Sequence, residues 1–275
     1  MVVYHSRVKL LNGAELGEYI KERQAKAVRG LRQSHNVAPK LVIIRTNPDP
    51  VVDSYMRLKS NYGKDILVDV DVLTIEQSEA IAMIEKLNKD GNVHGIIVQI
   101  PLPDPTQTKV ILNAVSPDKD VDGLAEKTTF DPATPMAINW LLAGYNIDLQ
   151  GKKLVIVGHG RLVGRPLARI WKASGYDVVV ADKQTENLAA VTKAADVLVC
   201  ATGVPGLINN SMINPEVVVV DAGVATDSNG LVCDVAADVR TLPNITITPE
   251  KGGVGPLTVC ALFENVIQAA RRTID

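Results

Sequence analysis

Apolar and polar positions along this chain follow two periods in turn, one helical and one extended. Over 14–33, "AELGEYIKERQAKAVRGLRQ", apolar residues recur at helical spacing with charges between them, which predicts an amphipathic helix. "KLVIIRT" (40–46) is short, apolar and β-branched, the pattern of a buried strand. A helix carrying Tyr55 and Lys59 follows. "ILVDVDVLTI" (66–75) alternates as a strand does, and "SEAIAMIEKLNKD" reads as a helix with Ser78 as a possible cap. "HGIIVQIPLP" (94–103) is a buried strand ending in prolines. This strand–helix–strand rhythm predicts a mostly parallel sheet with helices on its faces.

A second series begins near residue 151, with strands at "KLVIVG" (153–158), "DVVVAD" (177–182), "VLVCAT" (197–202), "VVVVDAG" (217–223) and "ITITP" (245–249). Between the series lies "TPMAINWLLAGYNIDLQG" (134–151), where Thr134 suits a cap and Pro135 a first helical position. The domain boundary is placed inside this helix. The expected fold class is α/β in two domains: an N-terminal α/β substrate domain over 1–138 and a Rossmann-type nucleotide-binding domain with a parallel sheet over 139–255, with a cleft between them. The amphipathic tail, 256–275, is expected to pack back on the first domain. No internal repeat or low-complexity tract interrupts the pattern.

Composition narrows the function classes. The chain has 275 residues and a net charge of -2, which supplies no broad basic field for nucleic acid or an anionic membrane. Aromatics make up only 4%, too few for base-stacking platforms. The three cysteines, Cys200, Cys233 and Cys260, are widely spaced with no Cys-x-x-Cys pair, as in a reducing, cytoplasmic compartment. No secretory signal and no bilayer-length apolar run is expected. The four histidines are scattered, which argues against a protein-bound catalytic metal.

"LVIVGHGRLVGRPLARIW" reads as strand, glycine turn, helix. Gly158, Gly160 and Gly164 form Gly-x-Gly-x-x-x-Gly, one residue longer than the usual dinucleotide fingerprint, and serve the same physics. They allow a tight turn, close approach of backbone to a pyrophosphate, and amides facing its oxygens. A tight turn without ligand is the plainer alternative. Asp182 ends the next strand, where a carboxylate takes ribose hydroxyls and repels a 2′-phosphate. It would equally serve as a strand-end cap, and Lys183 or His159 could instead meet a phosphate. Tyr55 and Lys59, four apart, share one helix face, which fits a solvated surface as well as half of an active site.

Several segments together decide between these readings. "SYMRLK" (54–59), "GIIVQIPLP" (95–103), "PDKDVDG" (117–123), "PATP" (132–135), "GHGRLVGRP" (158–166), "VVVVDAG" and "TPEKGGVGPLT" (248–258) resemble, in order and spacing, the bifunctional methylenetetrahydrofolate dehydrogenase/cyclohydrolase family. The resemblance covers nearly the whole chain. It implies a homodimer that oxidises 5,10-methylenetetrahydrofolate with NADP or NAD and hydrolyses the methenyl product to 10-formyltetrahydrofolate. It further implies that Lys59 is the key catalytic residue, with Tyr55, Gln99 and Asp122 beside it in the folate site. Gly252, Gly253, Val254 and Pro256 would shape the folate-contacting loop. Cofactor contacts would come from Gly158, His159, Gly160, Arg161, Val163, Gly164, Asp182, Lys183, Ala201, Gly203 and Val224.

The chemistry asks for such groups. A lysine desolvated in a cleft has a lowered pKa and acts as a neutral base, and the Gln99 amide can orient it. Asp122 offers two acceptors to the N–H donors of a pterin edge, although Asp-Gly is also a common turn pair. The chain departs from the family pattern in three places. Ala133 stands in "PATP" where the family carries cysteine. His159 and Gly160 replace an arginine-like residue and a serine, which removes contacts to a 2′-phosphate. With Asp182, they make NAD at least competitive with NADP. Glu250 and Lys251 add charges to a usually apolar stretch. A short-chain dehydrogenase, which also carries Tyr-x-x-x-Lys, is argued against by chain order, because here the pair precedes the glycine turn. A cyclohydrolase-only enzyme, or a non-catalytic folate- or nucleotide-binding protein, is the remaining alternative.

Overall fold

The computed structural model describes residues 8–227 and 230–274, with backbone alone at 50–52, 224–227 and 230–231. In chain order the elements are β1 (Lys9–Leu10), α1 (Gly13–Ser34), β2 (Lys40–Arg45), α2 (Pro50–Asp65), β3 (Asp69–Thr74), α3 (Ala80–Lys89), β4 (Gly95–Val98) and α4 (Thr108–Asn113). There follow α5 (Ala133–Gly144), β5 (Lys153–Val157), α6 (Gly164–Ala173), β6 (Asp177–Ala181), α7 (Leu188–Lys193), β7 (Val197–Cys200), β8 (Val218–Asp221), β9 (Val224–Asp227), β10 (Gly230–Cys233), β11 (Thr246–Ile247) and α8 (Val254–Arg271). The chain divides into two compact units, one of Glu18–Ala133 with Val259–Asp275 and the other of Met1–Gly17 with Thr134–Thr258.

The first unit holds a three-stranded parallel sheet in the order β3-β2-β4. The central β2 buries Leu41, Val42, Ile43 and Ile44, as a strand covered on both faces must. One face packs Val42 and Ile44 with Ile84 and Leu87 of α3 and Ile111 and Leu112 of α4. Tyr62 of α2 lies against Phe263 of α8, ring centroids 5.1 Å apart. The strand expected over 94–103 ends at Val98, yet the Gln99 N–H still donates to the Ile44 carbonyl at 2.9 Å, one step past the strand. Ser78 is not the cap of α3. It sits in a 3-10 turn over Gln77–Glu79, and there a Glu79 carboxylate oxygen accepts from the Glu76 N–H at 3.2 Å. That bond closes the 3-10 turn; the N-cap of α3 itself is Glu79, which makes no side-chain cap hydrogen bond.

The second unit holds six parallel strands in the order β1-β11-β8-β7-β5-β6. The order reverses at β5, whose neighbours are β6 and β7, so the carboxyl ends of β5 and β7 frame a crevice where ligands bind in such sheets. All five strands expected here are present. The boundaries lie at 133/134 and 258/259, where 138/139 and 255/256 were expected. Residues 8–17, expected in the substrate domain, belong to the second unit. β1 adds an edge strand to that sheet, with the Leu11 N–H donating to the Ile247 carbonyl at 2.9 Å. A two-residue strand is too short for periodicity to reveal. The antiparallel β9–β10 arm, also unforeseen, stands outside the sheet.

Candidate active site and nucleotide-binding turn

In the first unit, α2 and the strand ends of the three-stranded sheet bring the sequence's site residues together. Lys59 Nζ donates to Gln99 Oε1 at 3.1 Å. Gln99 is turned toward the lysine because its Nε2 donates to the Ile100 carbonyl at 3.0 Å, leaving the amide oxygen as acceptor. Burial lowers the Lys59 pKa below its usual 10.5, and the charge of Asp122 pulls the other way. Burial likewise raises the Asp122 carboxyl above the usual 3.8, opposed by Lys59. Desolvation therefore pushes both partners toward their neutral forms. A lysine in that state carries a lone pair, which is what a base needs. Tyr55, one turn before Lys59, is 44% exposed. Its ring stands open to solvent, available to a flat ligand.

The loop carrying Asp122 is held from behind. Asp120, 3% exposed, accepts from the Ala125 N–H at 2.9 Å and the Leu124 N–H at 3.4 Å. Asn265 of α8, also buried, donates from Nδ2 to the Val121 carbonyl at 2.9 Å and to the Asp131 carbonyl at 3.0 Å. Sequence reasoning passed over both residues. Asp120 was visible as the other carboxylate of "DVDG", and Asn265 as the amide in the apolar run "LFENVIQ". Ala133 is buried at the start of α5.

In the second unit the glycine turn packs closely against neighbouring backbone. Gly158 follows β5 at φ 104°, a conformation side chains avoid, and an added Cβ would lie 2.3 Å from the Ala201 carbonyl oxygen. A Cβ on Gly164 would lie 1.9 Å from the Gly158 oxygen. Gly160 is different: a Cβ there meets nothing within 4 Å. Val163 caps α6 without a side-chain hydrogen bond; the Arg165 N–H donates to the Gly160 carbonyl at 3.0 Å and Pro166 has no N–H, so Gly164 is the first-turn residue whose amide the turn does not use. His159 and Arg161 are exposed beside it. Ala201 and Gly203, the latter at φ 70°, form the loop after β7. Val224 begins β9, and its side chain lies outside the described residues.

A depression of about 450 Å³ opens beside this turn, lined by His159, Arg165, Ala168, Arg169, Lys172, Val180 and Asp182. Arg165, Arg169 and Lys172 occupy one face of α6. Asp182 Oδ1 accepts from the Gln184 N–H at 2.9 Å, so this carboxylate does build a strand-end turn. The neighbouring Lys183 is exposed. The helix cap at α7 comes instead from Asn187, which accepts from the Ala190 N–H at 3.0 Å.

The "TPEKGGVGP" turn lies in the second unit up to Thr258. Gly252 has φ 84°, and its carbonyl accepts from the Ala14 N–H at 2.9 Å. Gly13 is needed for close packing against this turn, since a Cβ there would lie 1.9 Å from the Gly253 oxygen, and a Cβ on Gly253 would itself meet Thr248 Cβ at 3.0 Å. Val254 is buried and Pro256 half-buried at the start of α8. Glu250, unexplained from sequence, has a partner: Arg240 Nε lies 3.6 Å from its carboxylate. Lys251 is exposed, and nothing in the structure explains it. Among the described residues no group of three or more His, Cys, Asp or Glu side chains could hold a metal, and no helix is long and apolar enough to cross a membrane.

Comparison with known proteins covers both units. Residues 11–122 match the family model described as tetrahydrofolate dehydrogenase/cyclohydrolase, catalytic domain, and residues 132–274 match the NAD(P)-binding domain of the same family. The bifunctional protein FolD of Bacillus subtilis is 36% identical over 280 residues, spanning 97% of this chain and 99% of that one. The solved bifunctional methylenetetrahydrofolate dehydrogenase/cyclohydrolase of Campylobacter jejuni superposes with a TM-score of 0.91 at 33% identity, over 97% of this chain and all of that one. The Trypanosoma brucei enzyme, solved with NADP cofactor and an inhibitor, superposes at 0.90 with 26% identity, over 97% and 98% of the two chains.

Proposed function

The chain belongs to the tetrahydrofolate dehydrogenase/cyclohydrolase family, and from that premise we propose that it oxidises 5,10-methylenetetrahydrofolate with a nicotinamide dinucleotide and hydrolyses the methenyl product to 10-formyltetrahydrofolate. The observation that carries this reading is the desolvated Lys59 hydrogen-bonded to Gln99, with Asp122 beside it.

Each group has a task. Asp122 accepts from the N–H donors of the pterin, which favour its ionised form when bound. Tyr55 covers the folate ring. Gly252, Gly253, Val254 and Pro256 shape the turn that meets the folate. A bound nicotinamide would supply the hydride acceptor for oxidation of the one-carbon bridge. The chain's part in that step is positioning: the glycine turn, packed tightly because Gly158 and Gly164 lack side chains, presents backbone and the Gly164 amide to the pyrophosphate, and Ala201, Gly203 and Val224 flank the crevice. In the hydrolytic step a water adds to the methenyl carbon and its proton passes to the neutral Lys59 Nζ. A charged ammonium would repel the cationic substrate, so the lowered pKa serves both needs.

Cofactor choice follows from the depression beside the turn. A 2′-phosphate would meet the Asp182 carboxylate and, at Gly160, bare backbone. A 2′-hydroxyl would find an acceptor in the same place. Arg165, Arg169 and Lys172 attract anions and keep NADP in play. NAD is therefore at least competitive with NADP. We further propose that the enzyme is a homodimer, with the edge strand β3 of the three-stranded sheet, which keeps Val72 exposed, as a pairing surface.

The test of this reading is hydrolysis of 5,10-methenyltetrahydrofolate by the wild type and by Lys59→Ala. Loss of the wild-type rate by roughly a hundredfold to ten-thousandfold is expected on removing a positioned base. A variant that keeps full activity removes Lys59 from the mechanism.

A further inference from the structure

Asp234 follows β10, on the arm that stands outside the six-stranded sheet. It is fully buried, and its carboxylate spends both of its hydrogen bonds on one residue of the loop after β7. Asp234 Oδ2 accepts from the Thr202 N–H at 2.5 Å and from the Thr202 hydroxyl at 2.8 Å. The same hydroxyl accepts from the Val204 N–H at 3.1 Å, so the bond is relayed across Gly203. Asp234 Oδ1 has no hydrogen-bond partner among the described residues. Room for the carboxylate exists only because residue 223 is glycine, since a Cβ there would lie 2.0 Å from Asp234 Cγ.

Burying a carboxylate that keeps one oxygen unpartnered is costly, and an apolar side chain would fill the space more cheaply. What the carboxylate does provide is a fixed position for residues 201–204. That loop is the floor of the glycine turn: the Ala201 carbonyl occupies the place a Gly158 side chain would take. The two loops are thus in direct contact at the carboxyl ends of β7 and β5, where the strand order reverses. A shift of Thr202 is passed to Ala201 and from there to Gly158.

The geometry points to Asp234 as a positioning residue for the dinucleotide, acting through Thr202. It sets nicotinamide-cofactor affinity by holding the 201–204 loop against the glycine turn, and it touches neither folate nor the reacting atoms. The role rests on the nicotinamide reading above. It also explains why the arm is built as it is. Beside Asp234, the Asp221 carboxylate accepts from the Val235 N–H at 3.0 Å and lies 3.3 Å from Arg240, so the arm that carries Asp234 is itself tied to the end of β8.

The experiment is calorimetric titration of NAD and NADP into the full-length wild type, Asp234→Asn, Thr202→Val and Thr202→Ser, with the folate KM measured on the same preparations in the cyclohydrolase assay. Charge-assisted hydrogen bonds of this kind predict a cofactor Kd raised about tenfold or more in Asp234→Asn and Thr202→Val, with much smaller movement in folate KM. Thr202→Ser, which keeps the hydroxyl, binds cofactor far more tightly than Thr202→Val. The double variant loses little more than either single one, because both break the same bond. An unchanged cofactor Kd in folded Asp234→Asn, or losses equal for cofactor and folate, overturns the role. Should Asp234→Asn not fold, Thr202→Val carries the same test from the other end of the bond. If the wild type binds neither dinucleotide, the nicotinamide reading fails and the positioning role falls with it. If it binds and the variants bind equally well, only the positioning role fails.

Discussion

Lys59 and Asp122 each hold the other's proton affinity in place, and this makes the pair testable by pH. Asp122 raises the Lys59 pKa while burial lowers it. The base form of Lys59 is lost as pH falls through that lowered value, so hydrolysis has an acid limb. Asp122→Asn removes the opposing charge, and the acid limb moves to lower pH. The same variant weakens folate binding more than nucleotide binding. A limb that stays in place, or equal binding losses measured by calorimetry, contradicts the pairing. Asp221 gives a second test. Burial, with the nearby Asp234 adding to it, raises its pKa from 3.8 to about 6 in the folded protein. Its stabilising contribution is fully present below about pH 4 and is lost as pH rises through 6, an effect of about 3 kcal/mol. Urea midpoints of the wild type minus Asp221→Asn should therefore fall between pH 4 and pH 7; a flat or rising difference is incompatible with it. Lys59 and Gln99 were legible in the sequence because they sit in dense family motifs. Asp234 was not, because a single aspartate in an arm outside the sheet has no periodic pattern, and its partner Thr202 is thirty-two residues away.

At the scale of elements, the strand–turn–helix of β5 and α6 separates glycines that the fold requires from one that it does not. Gly164→Ala drives a methyl into the Gly158 carbonyl, where only backbone can yield. It should cost about 3 kcal/mol and cofactor binding with it. Gly160→Ala meets open space and should change stability by less than about 0.5 kcal/mol. Thermal unfolding of both variants checks the contrast, and equal losses would contradict it. The parallel strands were readable because strands buried on both faces are apolar runs, as in "KLVIIR" and "KLVIV". β1 and β11 hold two residues each, too few for a period, and β11 was readable only because "ITITP" surrounds it. The cap at α3 was misplaced because a 3-10 turn inserts ahead of the helix and puts Glu79 at the N-cap position, where it makes no side-chain cap bond.

At the scale of the whole molecule, two α/β units each carry one group of candidate residues. The first holds Lys59, Gln99 and Asp122, and the second the glycine turn and its basic depression. Sequence pattern gave both units their class, but not the destination of residues 8–17, because pairing between Lys9 and Thr246 is a contact across most of the chain. The most direct measurement follows absorbance as purified protein meets 5,10-methylenetetrahydrofolate with NAD, and separately with NADP. Reduced nicotinamide should form with at least one cofactor, with NAD supporting a kcat/KM no worse than that of NADP, and 10-formyltetrahydrofolate should accumulate as the folate product. Absence of reduced nicotinamide with both cofactors would contradict the dehydrogenase, and a strong preference for NADP would contradict the part assigned to Asp182 and Gly160.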